Sequence, residues 1–454
     1  MFQAQLSDLQ TNYSSFLTEY KSLGTAAPFS YLIFSDGKGN CFAENGSTQA
    51  LDFFGTSGDQ VGQKCIDALS DSGGKIVFAG IIKLDAPLTI ETGYTNGLLE
   101  LSGYGPSTQL ISNRSSDCID VIGGNAFGYE GPYHILIDNL VLTSEISPEG
   151  NLMNNGIYVR NWFNINIENV MVFYADNAGI LIEDSANVHL NNVYVEGCSG
   201  TEYGGTRPLC GAGFLLRGSK DCYLDQCFSD TNEIGFLFDS NNQTNNIPRN
   251  VFLTQCEATL TEETGVSIAD THGIVLTSLL VEGSKGDGVM IVDSFQPRIV
   301  DCILSGNLGN GLFITSESAN MSQTQATIKD CTLIGNSKNG IGIWAKNGEE
   351  IGQINIEGST ITNSGTGTRG TLDQPDIWDG INIGNDAVSG GKCAYVSVTD
   401  CFLGNEAGSN FTQKLGVHSL ENSDYIQVLN CNFFGNIDGN FTLVGENNTV
   451  KDNY

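Results

Sequence analysis

One glycine-rich segment of the chain, residues 364–380, combines the residue types that act on sugars. It contains three aspartates, a tryptophan and an arginine, which are Asp373, Asp376, Asp379, Trp378 and Arg369. Glycoside hydrolysis needs two carboxylates, about 5 Å apart for retention of configuration or about 6.5–9.5 Å apart for inversion. An indole ring stacks against a sugar ring, and a guanidinium group can hold a uronate carboxylate. The segment is therefore predicted to be a carbohydrate site, with the aspartates as candidate catalytic residues and the other two as candidate binding residues.

The same segment also has a purely structural interpretation. Aspartates cap turns in solvated loops, and the tryptophan can pack back against the body of the protein. Two further insertions, 200–212 and 239–250, carry charged residues that would face one another if the loops were neighbours. These additional candidate carbohydrate-binding residues are Glu202, Arg207 and Asp239, together with Arg249.

The composition excludes several partners. The chain has 454 residues, with 52 acidic against 20 basic side chains and a net charge of −32. Such a charge repels nucleic acids and anionic membranes, so neither is expected as a partner. No long apolar run is present, so no membrane span is expected. The first residues lack the basic and apolar regions of a secretory signal, which predicts either use without that export route or prior removal of a leader.

Thirteen cysteines suggest metal or disulfide chemistry, but their pattern argues against both. No CxxC pair occurs, and an odd number of cysteines makes a poor disulfide framework. Six of them fall in a column that repeats along the chain: Leu140, Val170, Val193, Cys227, Cys256, Leu279, Cys302, Cys331, Ser359, Cys401 and Cys431. Leucine cannot replace a metal ligand but can replace a small buried apolar group, so a reduced interior column is predicted. No cofactor is expected; the acidic surface could bind Ca²⁺, but neither an EF-hand nor an RTX nonapeptide is present.

Two further columns of residues recur in each repeat together with the cysteine column. A glycine precedes an alternating apolar triplet in each repeat, which indicates a strand with one buried face after a corner of positive φ or close backbone approach. These glycines are Gly156, Gly179, Gly213, Gly235, Gly273, Gly288, Gly311, Gly340 and Gly380. Small polar residues five positions after the cysteine column are predicted to hydrogen-bond from coil to coil. The pattern predicts an all-β fold, a parallel β-helix of about 12–13 coils, with an N-terminal α-helical segment.

The entry into the first coil carries a resemblance to a known family. Residues 59–80 read DQVGQKCIDALSDSGGKIVFAG, and the sequences IIKLDAPLTI and LLELSGYGPSTQLI follow. On these residues, the segment 59–454 resembles the right-handed parallel β-helix, pectate-lyase-like superfamily. The resemblance implies a capping helix at about 59–70, followed by Gly-Gly and a strand. The apolar face of that helix would consist of Val61, Cys65, Ile66 and Leu69. No single activity is implied, because this fold hosts lyases, hydrolases, epimerases, tailspikes and adhesins.

Two segments precede the predicted β-helix. Residues 1–24 place apolar side chains at heptad a and d positions, which predicts an amphipathic helix that either joins subunits in a coiled coil or lies on the β-helix. Residues 25–58 are predicted to form a small β linker domain. An outward apolar column on the coils would form an exposed band and favour an oligomer, unless inserted loops cover it. That column is Tyr158, Leu181, Leu215, Leu237, Val275, Met290 and Phe313.

An oligomerising segment followed by β-helical rods resembles the plan of viral tailspikes. The leading hypothesis is a homotrimeric virion protein of the tail or spike that recognises a host cell-surface polysaccharide, with or without depolymerase activity. Its N-terminal segment would contact other virion tail proteins. One alternative is a polysaccharide lyase or glycoside hydrolase acting on an acidic polysaccharide, and another is a non-catalytic, adhesin-like surface rod. The leading hypothesis places the protein in the virion, and the alternatives place it outside the cell or on its surface.

Overall fold

The computed structural model describes residues 29–91, 97–112, 116–124, 134–145, 152–200, 211–241, 244–316, 324–346, 348–365, 379–385, 391–405, 413–420 and 423–454. This backbone forms two compact units, one ending at Ala175 and the other comprising Asp176–Tyr454. The helix and coiled coil predicted over residues 1–24 lie outside the described residues.

The first unit begins with three antiparallel strands and a helix. The strands are Tyr31–Ser35, Cys41–Asn45 and Leu51–Gly55. The helix Gly58–Ala68 follows at the position expected for the capping helix, and it buries Val61, Cys65 and Ile66. Because the strand Tyr31–Ser35 also pairs in parallel with Gly74–Ala79, the small antiparallel sheet is joined to the first coil.

The rest of the first unit consists of parallel strands in three sheets. The first sheet contains Gly74–Ala79, Leu98–Ser102, His134–Asp138 and Phe163–Glu168. The second contains Ile81–Leu84, Gln109–Ser112, Val141–Ser144 and Met171–Phe173. The third contains Leu88–Glu91, Ile119–Ile122 and Met153–Arg160. A 3₁₀ turn lies at Gly105–Ser107.

The second unit also has three parallel sheets, here named A, B and C in the order in which each coil from Ala186 onward passes through them. Sheet A contains Ala186–Asn191, Lys220–Asp225, Arg249–Thr254, His272–Thr277, Arg298–Val300, Thr327–Lys329, Glu350–Glu357, Lys392–Thr399, Ser423–Asp424, Gln427–Leu429 and Thr449–Lys451. Sheet B contains Tyr194–Glu196, Phe228–Asp230, Glu257–Thr259, Leu280–Glu282, Ile303–Ser305, Thr332–Ile334, Thr360–Thr362, Phe402–Gly404 and Asn432–Phe434. Sheet C contains Ala175–Glu183, Ala212–Arg217, Ile234–Asp239, Val266–Ala269, Val289–Val292, Leu312–Ser316, Ile341–Ala345, Ile381–Asn385, Leu415–Ser419 and Gly439–Leu443. The predicted parallel β-helix is confirmed.

The cysteine column lies in the interior of the second unit, as predicted. Cys256, Cys302 and Cys331 are each 1% exposed, and the cysteines of the described residues are all free thiols. The Cys256 thiol donates to the Leu224 carbonyl oxygen of the preceding coil at an Sγ–O distance of 3.4 Å. Burial raises the pKa of the Cys227 thiol, a member of this column, well above its ordinary value. The column therefore contributes packing and weak hydrogen bonds as uncharged thiols.

The corner between sheets A and B has a constant length. Two residues separate the end of each sheet A strand from the start of the next sheet B strand in all nine described turns of the second unit. The first of the two is in the left-handed conformation and the second belongs to the cysteine column. The left-handed residues are Asn192, Gln226, Gln255, Ser278, Asp301, Asp330, Gly358, Asp400 and Asn430. Nearly all are polar, because such side chains can bond locally or to solvent at a surface turn.

The glycine before each sheet C strand is required by close approach of the coils. A Cβ added at Gly311 would lie 2.8 Å from the Gly340 carbonyl oxygen, and Gly265 meets Gly288 in the same way. The apolar alternation of HGIVL predicts Gly273 in this column, and that prediction is wrong. Gly265 occupies the position, whereas Gly273 lies in sheet A with φ of 67°. Apolar alternation identifies a strand but cannot assign it to one of three sheets.

The predicted apolar band is not continuous and not fully exposed, since Tyr158, Leu237 and Met290 are half-buried and the other members are covered or lie elsewhere. Val275 lies in sheet A, and Ser267 takes its place in the outward column of sheet C. Leu181, Leu215 and Phe313 face outward from sheet C but are 5%, 0% and 9% exposed. These side chains are therefore covered within the chain and provide no evidence for a subunit interface.

The predicted ladder of small polar residues is confirmed at the corner between sheets B and C. Asn307 and Asn336 are fully buried on neighbouring coils. The Asn307 Nδ2 group donates to Asn336 Oδ1 at 2.9 Å, and the Asn336 Nδ2 group donates to the Leu304 carbonyl at 3.0 Å. These side chains satisfy backbone and amide groups that would otherwise be buried without partners.

Candidate functional site

Three of the predicted site residues, Asp379, Asp239 and Arg249, belong to the described part of the chain, and Arg249 is an exposed residue at the start of the sheet A strand Arg249–Thr254. The others lie outside the described residues; they are Asp373, Asp376, Trp378, Arg369, Glu202 and Arg207. Asp379 precedes the strand Ile381–Asn385, whereas Asp239 ends the strand Ile234–Asp239. These strands are five positions apart in sheet C, which corresponds to roughly 24 Å. The structure therefore does not bring the two aspartates into one site.

Asp379 is a fully buried carboxylate that lies just before the sheet C strand Ile381–Asn385. Its Oδ1 atom accepts a hydrogen bond from the Leu415 backbone N–H at 3.1 Å. Its Oδ2 atom accepts from Asn382 Nδ2 at 3.2 Å and from His418 Nδ1 at 2.9 Å. Because both oxygens are occupied and out of solvent, Asp379 can influence a bound molecule only through the side chains that it holds.

A row of polar side chains on successive coils fixes the position of Asp379. The Asn310 Nδ2 group donates to Asp287 Oδ1 at 2.9 Å, and the Asn339 Nδ2 group donates to Asn310 Oδ1 at 3.0 Å. The backbone N–H of Asp379 then donates to Asn339 Oδ1 at 2.9 Å. Each of these residues immediately precedes a corner glycine, so the row follows from the repeat itself. It gives the aspartate little freedom to move.

An aromatic group lies beside this carboxylate on the outer face of sheet C. The Trp344 Nε1–H donates to Asn382 Oδ1 at 3.1 Å, and Asn382 in turn donates to Asp379. The Trp344 ring packs edge-on against Phe313, with ring centroids 5.2 Å apart. Gly342 is in register with both Phe313 and Asn382 and carries no side chain, which leaves room between them. The sheet C site is defined here as Trp344, Asn382, Asp379 and His418.

The sheet C site combines an indole, an amide and an oriented imidazole. Since Nδ1 of His418 donates to Asp379, Nε2 is the ring nitrogen left to accept or donate a proton elsewhere. The His418 side chain is 18% exposed, and Trp344 is half-buried. An aromatic ring with a few fixed polar groups beside it is the usual composition of a small-molecule or sugar site. A carboxylate that orients a histidine can also prepare it for proton transfer.

Asp239 lies in a separate ion cluster at the opposite end of the sheet C strands. Arg217 lies between two carboxylates, with its Nη1 3.1 Å from Glu183 Oε1 and its Nε 4.0 Å from Asp239 Oδ2. Burial raises the pKa of Asp239 above its ordinary value, the Arg217 charge opposes that rise, and Asp270 adds to it. The cluster places one cation among three acids, so Asp239 stays a predicted binding residue with a structural ion pair as its observed contact.

Asn382 and His418 continue the outward column of the coils beyond Phe313, and the sequence pattern predicts no function for them. Trp344 was not singled out, because a tryptophan that ends an apolar triplet has the appearance of a packing residue. The signal that could have found the site is the break in the outward column, where Gly342, Asn382 and His418 replace apolar side chains.

No group of three or more metal-binding side chains occurs among the described residues. The part of the chain that the structure describes contains no helix long and apolar enough to cross a membrane.

The fold and the sheet C site define a right-handed parallel β-helix protein with an aromatic and polar cluster on one outer face. A family model described as a right-handed beta helix region matches residues 207–361. No curated protein matches the sequence.

Several solved structures share the fold. The A-module of mannuronan C-5 epimerase AlgE6 from Azotobacter vinelandii has a TM-score of 0.56 and 15% identity, covering 87% of this chain and 94% of that chain. Tailspike protein 3 of bacteriophage CBA120 has a TM-score of 0.52 and 12% identity, covering 87% of this chain and 58% of that chain. The catalytic unit of a GH87 alpha-1,3-glucanase from Streptomyces thermodiastaticus has a TM-score of 0.52 and 14% identity, covering 87% and 65%. These similarities confirm the right-handed parallel β-helix fold that the sequence predicts.

Proposed function

We propose that this chain is a tailspike-like virion protein whose β-helix recognises a host cell-surface polysaccharide through the sheet C site. The observation that carries the proposal is the hydrogen-bonded row from Trp344 through Asn382 and Asp379 to His418. An indole can stack on the apolar face of a sugar ring while the partly exposed imidazole bonds a hydroxyl group. Asn382 is 1% exposed and holds the indole and the aspartate in place. The predicted loop 364–380 ends at this site, since Asp379 belongs to both.

The fold neighbours support the same substrate class. They include a phage tailspike and enzymes whose names refer to mannuronan and alpha-1,3-glucan. The net charge of −32 fits a protein that meets uncharged or cation-bridged glycans more readily than nucleic acid. The assignment to a virion rests on the resemblance to tailspikes and on the heptads of residues 1–24.

A second candidate function is modification of the bound polysaccharide, and the Asp379–His418 pair favours it. The 2.9 Å contact between Oδ2 and Nδ1 fixes the imidazole and leaves Nε2 for proton transfer to or from a sugar. Under this function His418 would be the group that touches the substrate, and Asp379 would be a positioning residue.

Binding to a panel of neutral and acidic polysaccharides, including mannuronan and alpha-1,3-glucan, tests the proposal by calorimetry. Trp344→Ala is expected to weaken binding of the recognised glycan by about tenfold or more, because stacking with a sugar ring is lost. Tyr223→Ala is the matched control, since Tyr223 is also a partly exposed aromatic residue but faces outward from sheet A. Equal affinity of the Trp344 variant and the wild type would overturn the sheet C site.

The variant His418→Gln distinguishes the two candidate functions. If the protein only binds, this variant keeps most of its affinity and neither protein releases products. If the protein modifies the glycan, the wild type releases reducing ends or unsaturated products and His418→Gln loses that turnover while binding persists. A wild type that binds no member of the panel would contradict both functions.

A further inference from the structure

In the second unit, one residue in the left-handed conformation lies within or just before the sheet A strand of each coil, and these residues form a column. Each member directly precedes a side chain that points into the core. The column consists of Asn187, Asp221, Asn250, Gly273, Gln296, Gln325, Gln353, Tyr395, Tyr425 and Asn447. Asparagine, aspartate and glycine adopt this conformation at the lowest steric cost. Tyr395 and Tyr425 are the two aromatic members among these described residues.

The two tyrosines adopt a conformation that their side chains disfavour. Their φ angles are 56° and 55°, in a region where a bulky residue is a genuine outlier. Residues held in such conformations cluster at functional sites, because their strain persists only where something else selects the side chain. Packing within the column does not require a ring here. Amide pairs fill the same role on other coils, as Asn250 Nδ2 donates to Asp221 Oδ1 at 2.9 Å and Gln296 Nε2 donates to Gln325 Oε1 at 3.0 Å.

The tyrosine rings are presented to solvent as a pair. They stack with centroids 4.8 Å apart and an interplanar angle of 8°. Tyr395 is 53% exposed and Tyr425 is 41% exposed, so a large apolar area is left open next to two phenol groups. On the preceding coil, Gln353 is the column member in register with Tyr395, and it is an exposed, flexible amide. Next to it Gly352 pairs with Ala394 and has no side chain, although an added Cβ would lie 3.8 Å from Tyr395 Cδ2. The solvent-exposed surface of the two rings is therefore what a flat ligand can contact.

The charges around the pair select the ligand class. Lys392 Nζ lies 3.1 Å from Asp424 Oδ2, and Glu350 is in register with Lys392. The charge of Lys392 is thus already neutralised by Asp424, and the carboxylate of Glu350 is nearby. An anionic sugar would meet net negative charge here, in a chain that already carries −32. A neutral sugar would meet hydrogen-bonding groups without that repulsion.

We propose that Tyr395 and Tyr425 form a second carbohydrate-binding site, which takes a neutral hexopyranose chain whose sugar rings present an apolar face. The site lies on sheet A strands and uses no residue of the sheet C site, so it stands whether or not the proposed function of that site holds. The sugar ring stacks on the exposed tyrosine surface, and the phenol groups and the Lys392–Asp424 pair bond its hydroxyl groups.

The double variant Tyr395→Asn/Tyr425→Asn tests this site, because its stability is expected to be kept while its glycan binding is expected to be lost. Asparagine fits the left-handed conformation and restores the amide ladder of the other coils, so the thermal unfolding midpoint is expected to stay equal or rise. Cellohexaose and laminarihexaose serve as neutral probes and an oligomer of mannuronate as the acidic probe. Binding of at least one neutral probe is expected in the wild type and to weaken by about tenfold or more in the variant.

Tyr223→Asn is the matched control. Tyr223 stacks between His189 and Phe252 at 4.8 Å and 5.1 Å, but its backbone is an ordinary extended strand. That ring is explained by packing alone, so its loss is expected to lower the unfolding midpoint and leave neutral-glycan binding intact. Trp344→Ala reports separately on the sheet C site.

Three outcomes would overturn the second site. The first is a wild type that binds neither neutral probe. The second is a double variant that binds them as well as the wild type does. The third is a double variant that loses its affinity for the mannuronate oligomer and not for the neutral probes, which would reject the ligand class. A lower unfolding midpoint with unchanged binding would show that the rings serve packing, as in the control.

Discussion

His418 and Asp379 act together in the sheet C site, where a simpler site would use a single exposed carboxylate. The aspartate is buried and hydrogen-bonded by three donors, while the histidine reaches the surface. Burial of the carboxylate removes competition from water and sets the direction of the imidazole. Any chemistry at this place would therefore depend on Asp379 through the orientation of His418 and not through direct contact with a sugar.

A pair of carboxyl groups in the first unit, Asp117 and Asp120, makes the stability of the fold depend on pH. Burial, the neighbouring charge of Asp117 and a hydrogen bond with it raise the pKa of Asp120 to about 8. Asp117 Oδ1 accepts from Asn154 Nδ2 at 2.8 Å and from Asn155 Nδ2 at 2.7 Å, so it is the better hydrogen-bonded member of the pair. Asp120 therefore holds a proton in the folded protein that it loses near pH 4 in the unfolded chain.

The sign of this linkage gives a prediction. A raised folded pKa contributes stability that is complete at low pH and is lost as pH rises from about 4 to about 8. Asp120→Asn keeps the hydrogen bond but cannot ionise, so it is expected to gain stability relative to wild type as pH rises through that window. Urea unfolding at several pH values measures the difference. A constant difference between the two proteins across the window would contradict the assignment, and Asp117→Asn, which weakens an acceptor used by both asparagines, should be destabilised at every pH.

At the scale of the element, the coil is defined by its corners. The corner before sheet C needs a residue without Cβ, because a Cβ at Gly311 would approach the Gly340 carbonyl oxygen to 2.8 Å and the Asn336 Nδ2 atom to 2.7 Å. The turn at Gly335 is different. Its φ is 66° and no atom lies within 4 Å of an added Cβ, so conformation is the requirement there and space is not.

These two glycines make a matched pair of variants. Gly311→Ala is expected to destabilise the protein by about 2–3 kcal/mol, because backbone and buried amide atoms of the next coil must move. Gly335→Asn should change stability by about 0.5 kcal/mol or less, since asparagine accepts a left-handed φ at an exposed turn. Chemical denaturation of both variants measures the difference. Equal effects would mean that coil contact is not what selects glycine at 311.

The columns of the repeat explain how much of this architecture the sequence predicts. Cysteine, valine and leucine alternate at one inward position, so burial could be predicted from their mutual replacement without any structure. The assignment of Gly273 failed because HGIVL and TGVSI have the same apolar alternation and differ only in which sheet they join. The sheet C site could not be predicted in full, since Trp344, Asp379 and His418 meet across coils whose connections vary in length. Which polar residues become neighbours depends on the register of those coils.

At the scale of the whole molecule, the open question of assembly belongs to residues 1–24. The outward apolar column of sheet C is interrupted and in part buried within the chain, so the main argument for a homotrimer is the heptad pattern of that segment. The full chain is expected to have three times the mass of one chain by light scattering. Leu9→Lys, at a seam position, should shift that mass toward the monomer without altering the β-sheet circular dichroism, whereas Gln10→Lys, outside the seam, should not. A monomeric wild type would contradict the trimer.

The corner between sheets A and B is two residues long in all nine described turns of the second unit. The path from Thr362 to Ile381, between sheets B and C, and the path from Asp239 to Arg249, between sheets C and A, are much longer. Growth and exchange of sequence are thereby restricted to two of the three edges. Whatever these edges display can be replaced as a cassette without disturbing the hydrogen-bonded scaffold beneath. A protein built in this way can bind a new target after a change in a single connection, while the residues that determine its fold stay the same.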